Sequence, residues 1–240
     1  MIPQKIHYCW MSGEPYPELV EKCIESWKTI LPEYEIIEWN KENFDYKTNM
    51  YCREAYQKKK WAFVSDFVRI KVLYDYGGIY LDSDIEVFKK FDDLLNNDAF
   101  TGFENNEAIG PWLLASRAGN PLFKMFLKAY ENRHFILPDG DMDLTPNPLI
   151  LTPILQKYGL VLNGKTQYLK NITIYSQKYF CPKDFSTGKI NLCKDNYAIH
   201  YFNGGWLPIQ QRVKLIFIRV IYKYLGKDFL ELLKRLKKCI

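Results

Sequence analysis

The stretch W-A-F-V-S-D-F-V-R-I-K-V-L-Y-D-Y-G-G-I-Y-L-D-S-D-I-E, Trp61 to Glu86, decides how the rest of the chain is read. Phe63, Val64, Phe67, Val68, Ile70, Val72 and Leu73 make its first half apolar almost all round, as a buried helix is. Ser65, Asp66 and Arg69 interrupt that surface, with Asp66 and Arg69 one turn apart on one face. Gly77 can take the left-handed conformation that closes a helix, and Gly78 gives the chain room to turn. Ile79 to Asp82 read as a short strand, with Ile79 and Leu81 on one face and Tyr80 and Asp82 on the other. It runs out into Asp82-Ser83-Asp84, two carboxylates at a strand's carboxyl end, where open α/β sheets bind ligands.

Two acids around one residue are a weak signal alone. Asp139-Gly140-Asp141-Met142-Asp143 repeats the spacing twice, and its bland reading is a solvated loop. Leu144 and Ile150 stand where an EF-hand needs Gly and Glu, so that loop is no calcium site of that kind. Context separates the two stretches. Charges in a near-continuous apolar helix are costly to bury and need partners. A structural ion pair would satisfy Asp66 and Arg69, but convergence with Asp82 and Asp84 on one spot is the economical expectation.

Working outward, Lys5 to Trp10 read as a strand, Glu18 to Leu31 as a helix stopped by Pro32, and Tyr34 to Trp39 as a second strand. This β-α-β opening predicts a nucleotide-binding sheet with a right-handed crossover. Helical patterns follow from about Lys47 to Lys60, at Phe91–Leu95, Pro121–Arg133 and Leu149–Tyr158. Strand patterns follow at Ala99–Glu104, Ile109–Ala115, Tyr168–Tyr175 and Tyr197–Phe202. Two helical patterns, Ile209–Leu225 and Phe229–Leu236, flank Gly226. The expected organisation is one α/β domain over residues 1–208 and a helical tail over 209–240.

The 240 residues suffice for one well-buried domain with an appendage. Six cysteines are scattered without a C-x-x-C pair, as in a reduced compartment. No apolar stretch is long enough to span a bilayer, and the first ten residues lack a signal-peptide core. Residues 210–240 hold nine basic against two acidic side chains, a surplus of seven. With a net charge of +5 overall, the remainder carries −2. A basic binding protein for nucleic acid or acidic polymers would spread its cations across a groove, whereas these gather in one amphipathic tail. That tail suits either a buried helix pair or an anionic membrane surface.

The A-F-V-S-D-F-V-R-I-K-V-L-Y-D-Y-G-G-I-Y-L-D-S-D core resembles glycosyltransferase family 32, the sugar-binding-region family with the DXD motif. The glucosylating domains of the large clostridial toxins look like distant relatives. Ile6-His7-Tyr8-Cys9-Trp10 is similar to the family's opening, and His200-Tyr201-Phe202-Asn203-Gly204-Gly205-Trp206 to its carboxyl-terminal His…Gly-x-Trp element. The resemblance implies a Rossmann-like nucleotide-diphospho-sugar transferase (GT-A) domain and a metal-dependent hexosyltransferase that retains anomeric configuration. It puts Asp66 and Arg69 on the donor sugar and phosphate, with Ser65 in the same pocket. Tyr80 would lie beside the nucleotide or phosphate, Trp10 on the base, and Asn203 and Trp206 on the diphosphate. Mn²⁺ or Mg²⁺ would bind Asp82, Asp84 and His200; hard oxygen ligands suit either ion. On spacing alone, His200 reads more simply as a structural residue. Glu104 or Glu107 is a candidate acceptor-side base, with Asn105 and Asn106 nearby, and the acidic 139–143 loop is expected near the acceptor.

The donors favoured by the resemblance are UDP-galactose and UDP-glucose, with GDP-mannose the alternative. The expected acceptor is a lipid-linked saccharide in bacterial capsule or surface polysaccharide synthesis. That would place the protein in the cytoplasm, peripheral on the inner face of the cell membrane, with no nucleic-acid partner.

Overall fold

The computed structural model describes residues 1–204 and 209–238, with the side chains of the last helix described to residue 226. The chain opens with β1 (Lys5–Cys9), α1 (Glu18–Ile30) and β2 (Glu35–Trp39). Then come α2 (Met50–Gln57), α3 (Trp61–Tyr76), β3 (Gly78–Leu81) and β4 (Ile85–Val87). A hairpin of β5 (Ala99–Asn105) and β6 (Ala108–Ser116) follows. The rest is α4 (Pro121–Lys128), α5 (Asn147–Lys157), β7 (Gln167–Leu169), β8 (Ile172–Tyr175), α6 (Gln177–Phe180), β9 (Ala198–His200) and α7 (Ile209–Lys238).

Seven strands form one mixed sheet in the order β2-β1-β3-β6-β5-β8-β7. The expected parallel unit is there: β2, β1 and β3 run together, so their carboxyl ends share one edge. The sheet turns antiparallel at β6, where Leu81 pairs with Leu113. One apolar layer, containing Val20, Trp27, Ile79 and Leu81, packs α1 on one face. The other, with Phe63, Val68, Leu73 and Tyr80, packs α2–α5 on the opposite face.

Helix α3 buries every position from Phe63 to Leu73 apart from Lys71, as its all-round apolar pattern requires. Gly77 closes it at φ 66°, and Gly78 follows at φ 112°. A Cβ on Gly78 would stand 2.8 Å from both His7 Nε2 and Lys5 O. His7 occupies that space as a structural residue: Nε2 donates to Gly77 O at 2.8 Å, and Nδ1 accepts from Trp39 Nε1 at 3.0 Å. Burial holds its pKa down at about 4.

Strand β4 is absent from the sequence reading. It pairs with β9, as a two-stranded antiparallel ribbon that sets Ile85 opposite His200. Helix α1 holds this ribbon: Trp27 Nε1 donates to Ile85 O at 2.7 Å, and Val87 N donates to Ser26 Oγ at 3.0 Å.

Other boundaries differ as well, among them the helix expected from about Lys47 to Lys60, which runs Met50–Gln57, and the strand expected over Tyr197–Phe202, which ends at His200. Helix α4 stops at Lys128 instead of Arg133, because Tyr130 and Arg133 turn inward to bond Asn147 and Asp143. The strand expected over 168–175 breaks at Asn171, which takes φ 69°, into the β7–β8 hairpin. Helix α5 begins at Asn147, two residues early, with Pro148 in a first turn that needs no N–H from it. The terminal helical run is interrupted at Gly226, at φ 78°.

Candidate active site

The shared edge of β1, β2 and β3 gathers the residues the sequence singled out. Arg69 is 4% exposed and forks between two carboxylates: Nη2 lies 3.1 Å from Asp66 Oδ1 and 3.1 Å from Asp82 Oδ1. Nη2 also reaches Ser65 Oγ at 3.0 Å, while Nε donates to Ser65 O at 3.1 Å and Nη1 to Pro111 O at 2.9 Å. Its guanidinium carbon stands 4.9 Å from the Tyr80 ring centroid. Ser65 and Tyr80 therefore orient Arg69, and Tyr80 is 1% exposed beneath it. Burial raises the Asp66 pKa to about 6 even with Arg69 beside it, because one guanidinium is shared between two acids. Burial raises Asp82 as well, against the pull of Arg69.

The β4–β9 ribbon brings the second pair together. His200 Nε2 lies 3.0 Å from Asp84 Oδ1, and Asn203 N donates to Asp84 Oδ2 at 2.8 Å. Burial pushes the imidazole pKa down, but Asp84, with Asp82 and Glu104 behind it, moves it above its ordinary value. Burial opposes ionisation of Asp84, while His200 and the Asn203 N–H hold its carboxyl below the usual range. His200 Nδ1 is buried without a partner among the described residues, and the ring packs on Trp112 and Phe202.

Asp82, Asp84 and His200 do not close into a three-ligand cluster; among the described residues there is no such group. Asp84 and His200 touch, while Asp82 is drawn to Arg69. The donor set still suits a divalent cation. Three carboxylates face one guanidinium and one imidazole, and a cation replacing the proton between His200 and Asp84 would find oxygen and nitrogen ligands already paired.

Other sequence candidates fall differently. Trp10 is half-buried, donates from Nε1 to Glu14 O at 2.8 Å and meets Tyr16 edge-on. A cavity of about 620 Å³ opens beside it, lined by Met11, Ser12, Lys41, Tyr46, Arg53, Tyr56 and Trp61 among others. Glu104 is near the site: Trp112 Nε1 donates to its Oε2 at 3.3 Å, and burial raises its pKa. Glu107 is exposed in the β5–β6 turn. The solvated reading of the acidic 139–143 loop needs correction. Asp143 is an ion-pair partner, with Oδ2 2.7 Å from Arg133 Nη2, and only 16% of its side chain is exposed. Asp139 and Asp141 are exposed. Trp206 lies outside the described residues.

Sequence reasoning missed Asn147 and Glu54. Asn147 accepts from Tyr130 Oη at 3.1 Å and donates to the Asp66 carbonyl at 3.2 Å, which braces α3 next to the site. Glu54 accepts from the N–H groups of Phe135 and Ile136 at 2.8 and 3.0 Å, fixing the start of the same loop. No local pattern signals either contact.

The sheet and its shared edge are those of the GT-A glycosyltransferase fold. The structure shares that fold with the PaToxG glycosyltransferase, at TM-score 0.51 and 19% identity over 65% of this chain and 68% of that one. It likewise matches GlyE of Streptococcus pneumoniae, at TM-score 0.50 and 11% identity over 89% and 60% of the two chains. The chain belongs to the capsular polysaccharide synthesis protein family, whose model matches residues 1–136. It is 28% identical to the uncharacterized glycosyltransferase L373 of Acanthamoeba polyphaga mimivirus, over 90% of this chain and 88% of the relative. It is 24% identical to inositol phosphoceramide mannosyltransferase 2 of Schizosaccharomyces pombe, over 86% of this chain but 58% of the fungal one.

Proposed function

We propose that the protein transfers a hexose from a UDP-sugar, UDP-galactose or UDP-glucose first, to a lipid-linked saccharide acceptor with retention, in capsule or surface polysaccharide synthesis. The observation that carries this reading is the Arg69 fork between Asp66 and Asp82, set beside the Asp84–His200 pair. Asp66 offers a buried acceptor for donor-sugar hydroxyls, and Arg69 holds it in place. The cavity beyond Met11 and Trp61 would take the nucleoside, on aromatic walls with Lys41 and Arg53 at its rim. Asp84 and His200 would hold Mn²⁺ or Mg²⁺, with Asp82 alongside. The ion would supply positive charge where the diphosphate departs.

In the transfer, the bond from the anomeric carbon to the phosphate oxygen breaks and both electrons stay on that oxygen. The acceptor hydroxyl bonds the anomeric carbon from the same face, and its proton passes to the leaving phosphate. No protein nucleophile is required. Glu104, held by Trp112 next to His200, would orient the acceptor hydroxyl.

A second donor reading has support of its own. The fungal relative is named a mannosyltransferase, which makes GDP-mannose the alternative. Thermal-shift measurements with UDP-glucose, UDP-galactose and GDP-mannose, with and without Mn²⁺, separate the donors; no shift with any of them would refute the reading.

The tail supports a peripheral place on the inner face of the cell membrane. Val213, Ile216, Phe217, Val220 and Tyr224 are exposed at helical spacing along α7, with Arg212, Lys214 and Lys223 exposed beside them. Among the described residues no helix is long and apolar enough to cross a membrane. Co-sedimentation with phosphatidylglycerol vesicles should exceed that with phosphatidylcholine and fall in Phe217→Asp. Equal recovery with both lipids would refute membrane attachment.

A further inference from the structure

Beside the acidic cluster stand two cations that form no ion pair with a described carboxylate. Lys183 follows α6, and Arg219 lies on α7. Lys183 Nζ donates to Tyr201 O at 2.7 Å, and Arg219 Nη2 donates to Phe185 O at 2.9 Å. Arg219 Nε is buried with no hydrogen-bond partner among the described residues. Asp184, the carboxylate nearest in sequence, accepts through Oδ1 from both Thr187 N and Thr187 Oγ1 at 2.6 Å, so it lends Arg219 its field but forms no ion pair with it. That turn ends at Gly188, at φ 71°, and a Cβ there would come within 3.3 Å of Arg219 Cδ, so the glycine lets the arginine stem lie close. Both groups are partly withdrawn from water. Burial and the neighbouring Arg219 charge lower the pKa of Lys183, and burial lowers that of Arg219. Two like charges held together at that cost suit an anion.

Their position says which anion. Lys183 grips the carbonyl of Tyr201, the residue after His200, and two residues on the Asn203 N–H meets Asp84. The cations therefore flank the turn that closes on the Asp84–His200 pair. We propose that Lys183 and Arg219 form a phosphate subsite, which receives the terminal phosphate of the donor's nucleoside diphosphate. This rests on the glycosyltransferase reading above and adds two residues to it. As the sugar leaves, negative charge grows on that phosphate's oxygens. A lysine point charge and the Nε edge of an arginine answer that charge beside the His200–Asn203 turn. A phosphate carried by the acceptor would offer the same chemistry, so the test must separate the two sources.

The test is isothermal calorimetry of UDP and UMP, with GDP and GMP alongside, in fixed Mn²⁺. It uses the full chain as wild type, Lys183→Gln, Arg219→Gln and Lys183→Arg. The expected result is a loss of about tenfold in diphosphate affinity in each glutamine variant, a change below about twofold for the monophosphates, and recovery of most of the loss in Lys183→Arg. Parallel losses for monophosphate and diphosphate, with a lowered Tm, would reduce the pair to a structural clamp and overturn the proposal. Unchanged diphosphate affinity with a raised KM for a phosphate-bearing acceptor would give the phosphate to the acceptor and overturn the donor assignment. A wild-type chain that binds none of the four nucleotides would fail differently, because the glycosyltransferase reading would fall first.

Discussion

Replacing Arg69 by methionine tests the charge arrangement most directly. Methionine keeps much of the stem's volume and removes the guanidinium, whose donors reach Asp66, Asp82, Ser65 and Pro111. Asp66 and Asp82 would then face each other unneutralised, with side chains only 11% and 26% exposed. Breaking a buried pair by removing one partner costs roughly 3–5 kcal/mol. Two acids lose one cation here, yet Asp82 keeps some access to water, so the middle of that range, about 4 kcal/mol, is expected. For a chain of this size that is a fall of roughly 8–16 °C in Tm.

The loss should depend on pH in a definite direction. The folded pKa of Asp66 is raised to about 6 by burial, from 3.8. Protonated Asp66 therefore favours the folded state below about pH 4, and that contribution disappears as pH rises through 6. In the variant the carboxyl has still more reason to bind a proton, so the gap from wild type should be widest near pH 8 and clearly smaller at pH 5. Urea unfolding at the two pH values measures it. A variant within about 1 kcal/mol of wild type at pH 8, or a gap that widens on acidification, would refute the assignment of Arg69 as the shared counter-ion.

Asp84→Asn should abolish Mn²⁺-dependent turnover of the UDP-sugar while the chain, though less stable for losing a buried partner of His200, still unfolds cooperatively; unchanged turnover would remove Asp84 from the metal site. Mn²⁺ must displace the proton that Asp84 helps hold on His200, so Mn²⁺ affinity should fall about tenfold per unit as pH drops below the raised His200 pKa. Calorimetry between pH 5.5 and 8 checks this, and a flat profile would exclude His200 as a ligand. Gly78→Ala forces a Cβ onto His7 and the Lys5 carbonyl at positive φ. It should cost at least about 3 kcal/mol, read as insoluble expression or a sharply lowered Tm. Glu54→Gln should cost about 2 kcal/mol at pH 7. Burial opposes the Glu54 charge, but three hydrogen-bond donors hold its pKa below the ordinary value, so this stabilisation is present above about pH 4 and lost as pH falls further.

The helix-Gly-Gly-strand unit was legible because its signals are local. The all-round apolar helix, the two glycines and the alternating strand each constrain the backbone within a few residues. The meeting of Asp66, Arg69 and Asp82 was legible too, since a buried charge needs a partner and the chain offers few within one turn and one strand. What escaped reading depends on distant segments. β4 is three residues long and becomes a strand only because Ala198–His200 arrives more than a hundred residues later. Glu54 resembles any acid on a polar helix until the loop after α4 folds onto it. Asp143 looks solvated until Arg133 leaves the helical path to pair with it. Lys183 and Arg219 sit among many lysines and arginines, and the turn that spends Asp184 on Thr187 cannot be seen in spacing.

The site therefore divides into two halves of opposite charge that depend on each other. Asp66, Asp82 and Asp84 outnumber the positive charge that Arg69 and His200 supply, so a bare diphosphate approaching that floor would meet net repulsion. The cations on the other side of the His200–Asn203 turn, Lys183 and Arg219, attract the same diphosphate. A divalent ion at Asp84 and His200 would reverse the sign of the floor and bring both halves into agreement. On the proposed reading, metal and nucleotide binding are then linked, each raising the affinity for the other by the same factor. The β4–β9 ribbon matters for that coupling, because it carries Asp84 and His200 side by side at one end. Helix α1 fixes the ribbon through Trp27 and Ser26, so both ligands of the ion share one rigid support.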